Sequence, residues 1–203
     1  IPLRLVGSEM CIRDSLVLDR SHFVQPDLPA FNDDGGDANK PYLVTPDSLL
    51  VNLKALRFIA RAENGKVTVA AEPPLAGLTL DNQVKVLKAG KCPAWPDVRY
   101  NPVKEFDGTR VIVTGQLTDG CSAQTYLSLL DHPAYAAGAV RAIFSELGGS
   151  IMGKDRQAEV PKSATLLARA LSPDLVEIIR DINKYSNNCL LYTSDAADDS
   201  LRV

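Results

Sequence analysis

The fold class of this chain is decided by residues 56–69, which read LRFIARAENGKVTV. Apolar residues recur on both sides of Asn64-Gly65, and this dipeptide tolerates the positive φ angles of a two-residue hairpin turn. The stretch therefore predicts a β-hairpin, with residues 53–58 leading into the turn and residues 67–69 following it.

More strands are predicted on the C-terminal side of this hairpin. Residues 78–80 (LTL) and 84–86 (VKV) alternate between apolar and polar side chains, as half-buried strands do. A second hairpin is predicted at Asp107-Gly108, between residues 103–106 and 110–117. We interpret residues 51–120 as a compact β-rich module.

Two helices are predicted beyond this module. The first covers about residues 133–147, where apolar side chains recur at the spacing of one helix face, namely Ala136, Val140, Ile143, Phe144 and Leu147. The second begins with Ser172 as N-cap and Pro173 at its first position, and its predicted buried stripe comprises Leu175, Ile178, Ile179, Ile182 and Tyr185. Short strands are predicted at residues 16–19, 151–152 and 165–168, so the predicted fold class is α+β.

Composition and charge exclude several classes of function. The 203 residues carry a net charge of −3, which gives no electrostatic basis for binding nucleic acid or an anionic membrane surface. No apolar run approaches the roughly 20 residues that span a bilayer, so no membrane span is predicted. Asp33, Asp34 and Asp37 lie in a long polar loop, residues 24–46, but lack the regular spacing and terminal Glu of a calcium loop. We predict no metal site and no cofactor.

The two ends of the chain have related coding sequences. Residues 10–14 (MCIRD) can be encoded by a DNA string whose reverse complement encodes CLLYTS, which is residues 189–194. Folding gives no physical reason for such an inverted repeat, whereas translated sequencing adapters produce it directly. We therefore expect residues 1–15 and 189–203 to be adapter-derived tails, and we exclude them from fold reasoning.

The tripeptide Ser186-Asn187-Asn188 follows the second predicted helix and resembles the Ser-x-Asn motif of class C low-molecular-mass penicillin-binding proteins. Four further stretches are similar to the same family in the same order, namely residues 16–21 (LVLDRS), 47–55 (DSLLVNLKA), 69–74 (VAAEPP) and 135–149 (from YAAG to ELGG). Together they span nearly all of residues 16–188. The resemblance therefore does not depend on a motif that occurs by chance roughly once in a chain of this length.

The resemblance implies β-rich inserted domains followed by the start of a β-lactamase/transpeptidase-like domain. Its predicted boundaries are 16–50 and 121–171 for the two parts of one inserted domain, 51–120 for the β-rich module, and 172–188 for the helix that carries Ser-x-Asn. On this interpretation the chain is an internal fragment of a longer protein.

The resemblance also implies a periplasmic serine-type D-Ala-D-Ala carboxypeptidase/endopeptidase that forms an acyl-enzyme with peptidoglycan stem peptides and is trapped by β-lactams. Ser186 is then a catalytic residue that helps to pass a proton to the departing D-alanine, and Asn188 binds a peptide amide of the substrate. The family's other two motifs, Ser-x-x-Lys and Lys-Thr-Gly, do not occur in the sequence. We therefore expect the chain by itself to be inactive.

Five other side chains are considered as candidate functional residues, and three of them have two interpretations. Cys92 and Cys121 are either buried free thiols or, as their position in a β-rich module favours, a disulfide of an oxidising compartment. Neither has a neighbouring His that would favour zinc. Trp95 is either a platform for sugars or, the interpretation we favour, a loop aromatic that covers the core of the module. His22 and His132 are interpreted as surface and helix-approach residues and not as ligands.

Two rival functions stay open. A non-catalytic β-rich module that binds cell wall or a partner protein would not be preceded by Ser-x-x-Lys in its upstream reading frame. Another serine acyl hydrolase, such as an esterase or a β-lactamase, would share the three-motif cleft but lack a large β-rich insertion between the first two motifs.

Overall fold

A computed structural model of the chain describes residues 11–12, 15–22 and 39–185. Eleven strands occur in this part: β1 Cys11–Ile12, β2 Val17–Leu18, β3 Leu56–Glu63, β4 Lys66–Glu72, β5 Leu78–Asn82, β6 Lys85–Leu87, β7 Val98–Glu105, β8 Gly108–Thr118, β9 Ser122–Leu127, β10 Ser150–Ile151 and β11 Arg156–Gln157. The two α-helices of the same ranges are α1, His132–Glu146, and α2, Leu175–Tyr185. The predicted α+β class is confirmed.

The first predicted hairpin, β3–β4, belongs to a three-stranded antiparallel sheet in the order β4-β3-β9, with β3 in the middle. Asn64 and Gly65 connect β3 to β4 with φ angles of 53° and 75°, as the Asn-Gly signal predicts. Strand β9 pairs with the other edge of β3, from Leu56 opposite Leu127 to Arg61 opposite Ser122. The β-rich unit therefore continues beyond the predicted boundary at residue 120.

The second sheet is built on β8. Strand β7 pairs with it antiparallel, while β5 and β6 pair in parallel with the first and second halves of its other edge. The second predicted hairpin is present, but its turn is Phe106-Asp107, because Glu105 already pairs with Gly108. The turn thus lies one residue earlier than Asp107-Gly108.

The core lies between these two sheets. Alternate residues of β3 point inward, and Leu56, Phe58, Ala60 and Ala62 are fully buried. Val111 and Val113 of β8 join Leu56 and Phe58 in one apolar cluster. Burying one such side chain contributes roughly 1.5–3 kcal/mol, so these strands supply much of the folding free energy.

Helix α1 closes one end of the sandwich. Asp131 is its N-cap and accepts a hydrogen bond from the Ala134 N–H at 2.9 Å. The helix lies so close to the chain after β4 that a Cβ on Gly138 would lie 2.9 Å from the Ala76 carbonyl oxygen. The first half of the helix is buried here, including Tyr135, Ala136 and Ala137.

The second half of the predicted apolar face of α1 is not buried. Val140, Ile143 and Leu147 are exposed, with Ile143 at 59%. The apolar face is therefore covered along its first half alone, because the spacing of apolar residues does not show how far a packing partner extends along the helix.

Helix α2 differs from its prediction in two ways. Asp174, and not Ser172, caps it, accepting a hydrogen bond from the Glu177 N–H at 2.8 Å. Its predicted stripe is not buried, since Leu175 is 64% exposed and Ile179 is also exposed; the side chains of Ile182 and Tyr185 lie outside the described residues. The strand predicted at residues 165–168 is absent, because this exposed segment has no neighbouring strand to pair with.

Two short parallel pairings attach the N-terminal segment to the region after α1. In β2, Val17 pairs with Arg156 and Leu18 with Gln157. Strand β2 confirms the strand predicted at residues 16–19. Strand β10 confirms the strand predicted near residue 151 and pairs with β1. Strand β1 belongs to residues 1–15, whose adapter origin stays a prediction.

Candidate functional site

The two residues predicted to carry the chemistry, Ser186 and Asn188, lie outside the described residues. Helix α2 ends at Tyr185 and so directly precedes Ser186 in the sequence. The cluster Asp33, Asp34 and Asp37 also lies outside the described residues, as does most of the predicted loop 24–46. The described part of the chain contains two candidate features, a cluster of buried charged side chains and a surface cleft.

A disulfide joins Cys92 to Cys121, with their Cα atoms 5.6 Å apart. Cys121 lies just before β9 and is buried against Leu117 and Ala123 in the second apolar cluster. Cys92 lies in the exposed loop between β6 and β7. The bond therefore anchors this loop to the core of the sandwich.

Trp95 lies in the same loop and is 91% exposed. The favoured interpretation, that it covers the core of the module, was wrong. The core of the sandwich is formed by buried strand side chains such as Leu117 and Val113, without a contribution from the exposed indole.

A buried charge cluster joins the N-terminal segment to α1. The Arg20 guanidinium donates hydrogen bonds to both carboxylate oxygens of Asp47, whose side chain is 1% exposed. The Asp47 Oδ2 atom also lies 3.9 Å from Nδ1 of His132. His132 Nε2 donates to the Thr45 carbonyl at 3.0 Å, since a carbonyl oxygen can only accept.

His132, interpreted as a helix-approach residue, is the first residue of α1 and is buried, whereas His22 is exposed as expected of a surface residue. Burial lowers the pKa of His132, and the positive charge of Lys54 lowers it further, against the opposing attraction of Asp47. Burial raises the pKa of Asp47, but hydrogen bonds from Arg20 and the Leu49 N–H outweigh it and hold that pKa below its usual value. The cluster thus holds an ionised Asp47 beside a neutral imidazole near neutral pH.

The charged residues continue from this cluster to the surface. Lys54 donates to the Leu130 carbonyl at 2.9 Å, and its burial lowers the pKa of its ammonium group. Burial raises the pKa of Asp131, but the Ala134 N–H and Lys104 outweigh it and the pKa lies below its usual value. The Lys104 ammonium lies 3.3 Å from an Asp131 oxygen, at the rim of a surface cleft.

The cleft has a volume of about 620 Å³ and lies between the β7–β8 turn, the first turns of α1 and residues 153–155. Arg141 fixes one wall, because its guanidinium bonds the Ile151 and Gly153 carbonyls as well as the Asp155 carboxylate. Lys154 lies in the segment that Arg141 holds, and its ammonium is 4.9 Å from the centre of the Phe106 ring in the β7–β8 turn. Charges of both signs line the cleft, over an apolar floor that includes Leu129, Leu130 and Ala137.

The described residues that line the cleft include no Ser, Cys or His, and the hydroxyl among them belongs to the buried Thr109. Within the described ranges there is also no group of three or more His, Cys, Asp or Glu side chains that could hold a metal ion.

Sequence reasoning missed the Arg20–Asp47 pair and the cleft. Both residues occur in stretches that resemble the family, but a resemblance does not show which side chains meet across 27 positions of sequence. One signal was present in the sequence: Asp47, Lys54, Asp131 and His132 are charged or polar residues that lie close to apolar residues in the sequence. No helix in the described part of the chain has the length and apolar character of a membrane span.

The fold is similar to part of a solved penicillin-binding protein. A crystal structure of penicillin binding protein 4 (dacB) from Haemophilus influenzae superposes with a TM-score of 0.59 and 19% sequence identity, over 89% of this chain and 40% of that one. The same protein complexed with a novel β-lactam superposes with a TM-score of 0.49 and 20% identity, over 71% of this chain and 33% of that one. The chain thus spans less than half of the length of the structures it matches.

A profile of the D-Ala-D-Ala carboxypeptidase 3 (S13) family matches residues 4–192, and the chain belongs to that family. This confirms the resemblance noted in the sequence. The match includes parts of both predicted tails, 1–15 and 189–203, whose origin stays a prediction. No curated protein matches the chain significantly.

Proposed function

We propose that this chain is a segment of a periplasmic serine-type D-Ala-D-Ala carboxypeptidase/endopeptidase that acts on peptidoglycan stem peptides through an acyl-enzyme. The observation that carries the proposal is the S13 family match over residues 4–192, which includes the Ser-x-Asn sequence at 186–188. The nucleophile and its base would come from a Ser-x-x-Lys motif that the 203 residues do not contain.

Ser186 and Asn188 would have different roles in this reaction. The Ser186 hydroxyl would belong to the hydrogen-bond network that carries a proton to the departing D-alanine amine. The Asn188 amide has two donors and an acceptor, which suits a peptide group of the stem peptide. Residues at i and i+2 do not share a helix face, so the backbone has to leave the helical path after Tyr185 for both to face one cleft.

The exposed apolar surface around α2 supports the proposal. Leu166, Leu167, Leu171, Leu175 and Val176 are all exposed large apolar side chains within a short stretch of sequence. Soluble domains rarely leave so many neighbouring apolar groups in water. We assign them to contact with the rest of the transpeptidase-like domain, which fits a chain that spans 40% of its structural relative.

Fluorescent penicillin labelling tests the proposal. The full-length protein should acquire a covalent label, and the 203-residue chain alone should not. In the full-length protein Ser186→Ala should slow labelling by roughly a hundredfold or more, the usual contribution of a positioned proton-transfer group.

Ser163→Ala is the matched control, since Ser163 is an exposed serine in the irregular segment before α2; this variant should label at the original rate. A covalent label on the isolated chain would overturn the assignment of the nucleophile to another part of the protein. A full-length protein that neither labels nor releases D-alanine would overturn the proposed activity.

A further inference from the structure

The loop between β6 and β7, residues 88–97, presents an aromatic ring to solvent in a fixed position. Trp95 is 91% exposed and is the single tryptophan of the 203-residue sequence. Pro93 and Pro96 lie on either side of it. Prolines fix φ, so the loop has less conformational freedom than its length suggests. The backbone that carries the exposed indole is therefore restricted.

The loop is held at both of its ends. On one side the Cys92–Cys121 disulfide fastens it to the buried start of β9. On the other side the Asp97 carbonyl accepts a hydrogen bond from the Gln116 N–H at 2.8 Å, and the Val98 N–H donates to the Pro96 carbonyl at 3.0 Å. The Trp95 backbone is thus preorganised before any ligand binds, which lowers the entropy cost of binding.

Gly115 makes the second attachment possible. It has a φ of +114°, and a Cβ at this position would lie 1.9 Å from the Asp97 carbonyl oxygen. The backbone of the loop therefore contacts the backbone of β8 directly, in a way that no other residue type permits.

The chemistry around Trp95 fits a sugar better than a protein. Beyond the adjacent Ala94 and Pro96, the exposed charged residues Lys91, Asp97 and Arg99 lie within four positions of Trp95, and the Arg99 Nε atom is 3.0 Å from an Asp97 carboxylate oxygen. A protein partner would need a contiguous apolar centre, whereas a single pyranose ring needs one flat aromatic face and nearby hydrogen-bonding groups. This is the arrangement that the loop offers.

We propose that the loop 88–97 binds the glycan strand of peptidoglycan, with the C–H face of an amino-sugar ring stacked on the Trp95 indole and the hydroxyl and acetamido groups near Asp97 and Arg99. The choice of this polymer rests on the proposed function, because a peptidase of stem peptides meets the glycan to which they are attached. The site would hold the polymer while the peptide is cleaved elsewhere in the protein.

Fluorescence of the 203-residue chain tests this directly, because its emission comes from Trp95. The probes are a soluble N-acetylglucosamine tetramer and peptide-free glycan strands prepared from sacculi. We expect a saturable blue shift with either probe. We also expect co-sedimentation with peptide-free glycan, with an apparent affinity reduced roughly tenfold in Trp95→Ala, the loss typical of an aromatic anchor.

Phe106→Ala is the matched control. Phe106 is 93% exposed and lies at the other end of β7, so removing it also removes an exposed aromatic ring but should leave co-sedimentation unchanged. Trp95→Tyr should retain much of the binding, because it keeps an aromatic face.

An emission spectrum that does not respond to either probe, or equal losses in Trp95→Ala and Phe106→Ala, would overturn the glycan site. Since these probes carry no stem peptide, the result is independent of penicillin labelling. Labelling without glycan binding would leave the proposed enzyme and remove the glycan site, and glycan binding without labelling would do the reverse.

Discussion

The His132 Nδ1 atom lies 3.9 Å from Oδ2 of Asp47, in a cluster where both side chains are almost completely buried. His132 opens α1, and Asp47 belongs to the segment that precedes the sandwich, so the pair fixes one to the other. Because Nε2 bonds to the Thr45 carbonyl, a second proton on the ring would go to Nδ1, in a region that already contains the charges of Arg20 and Lys54.

This geometry predicts that the chain loses stability in mild acid. The folded pKa of His132 is lowered below its unfolded value of 6.5. The contribution of the neutral imidazole is therefore complete above about pH 6.5 and decreases as the pH falls from there toward the folded pKa. Urea unfolding between pH 7.5 and 5 should show this loss. His132→Gln should abolish the slope in this window, and an unchanged slope would remove His132 as its cause.

The Arg20–Asp47 pair should contribute more stability than an exposed ion pair of the same type. Asp47→Asn leaves Arg20 facing a neutral group in a partly buried site and should lower the free energy of unfolding by about 2 kcal/mol. Glu72→Gln breaks the exposed Arg57–Glu72 pair and should lower the free energy of unfolding by less than Asp47→Asn does, because solvent screens an exposed ion pair. Equal losses in the two variants, measured by urea unfolding at pH 7.5, would contradict the burial argument.

The disulfide should stabilise the β sandwich through the unfolded chain. A crosslink over 29 residues is expected to contribute about 3.5 kcal/mol. Reduction should lower the unfolding midpoint of the chain, and the Cys92→Ser/Cys121→Ser double variant should no longer respond to reductant. Peptide mapping after alkylation without reductant provides the direct check, since alkylated Cys92 and Cys121 in the folded protein would disprove the bond.

Gly115 should be intolerant of any side chain. Gly115→Ala places a Cβ 1.9 Å from the Asp97 carbonyl oxygen, so the loop that carries Trp95 has to move. We expect a loss of more than about 1 kcal/mol and a changed Trp95 emission spectrum. Gly65→Ala is the control, since Gly65 also has a positive φ but no atom lies within 4 Å of its Cβ position; it should leave the Trp95 spectrum unchanged.

The sequence predicted the parts of this fold that depend on neighbouring residues. Asn64-Gly65 and the alternation of β3 determine a hairpin locally, and so does the turn between β7 and β8. The parallel pairing of β5 and β6 with β8 has no such signal, because it joins strands across a long intervening chain. This parallel pairing depends on packing between distant segments, which a short stretch of sequence does not show.

The same limit explains the errors at α1, α2 and Trp95. The spacing of Ile143 and Leu175 shows that a helix has an apolar face, but not whether the chain supplies a surface to cover it. Trp95 was expected to cover the core because indoles are usually buried, and only the packed sandwich shows that its core is already full. The pairing of Asp47 with Arg20 likewise depends on two segments that meet only in the folded protein.

D-alanine release from a stem pentapeptide ending in D-Ala-D-Ala tests the central claim most directly. The full-length protein should release D-alanine, with kcat reduced roughly a hundredfold or more in Ser186→Ala and a raised KM in Asn188→Ala, and with no change in Ser163→Ala. Release at the original rate by Ser186→Ala would contradict the assignment of this serine to the active site.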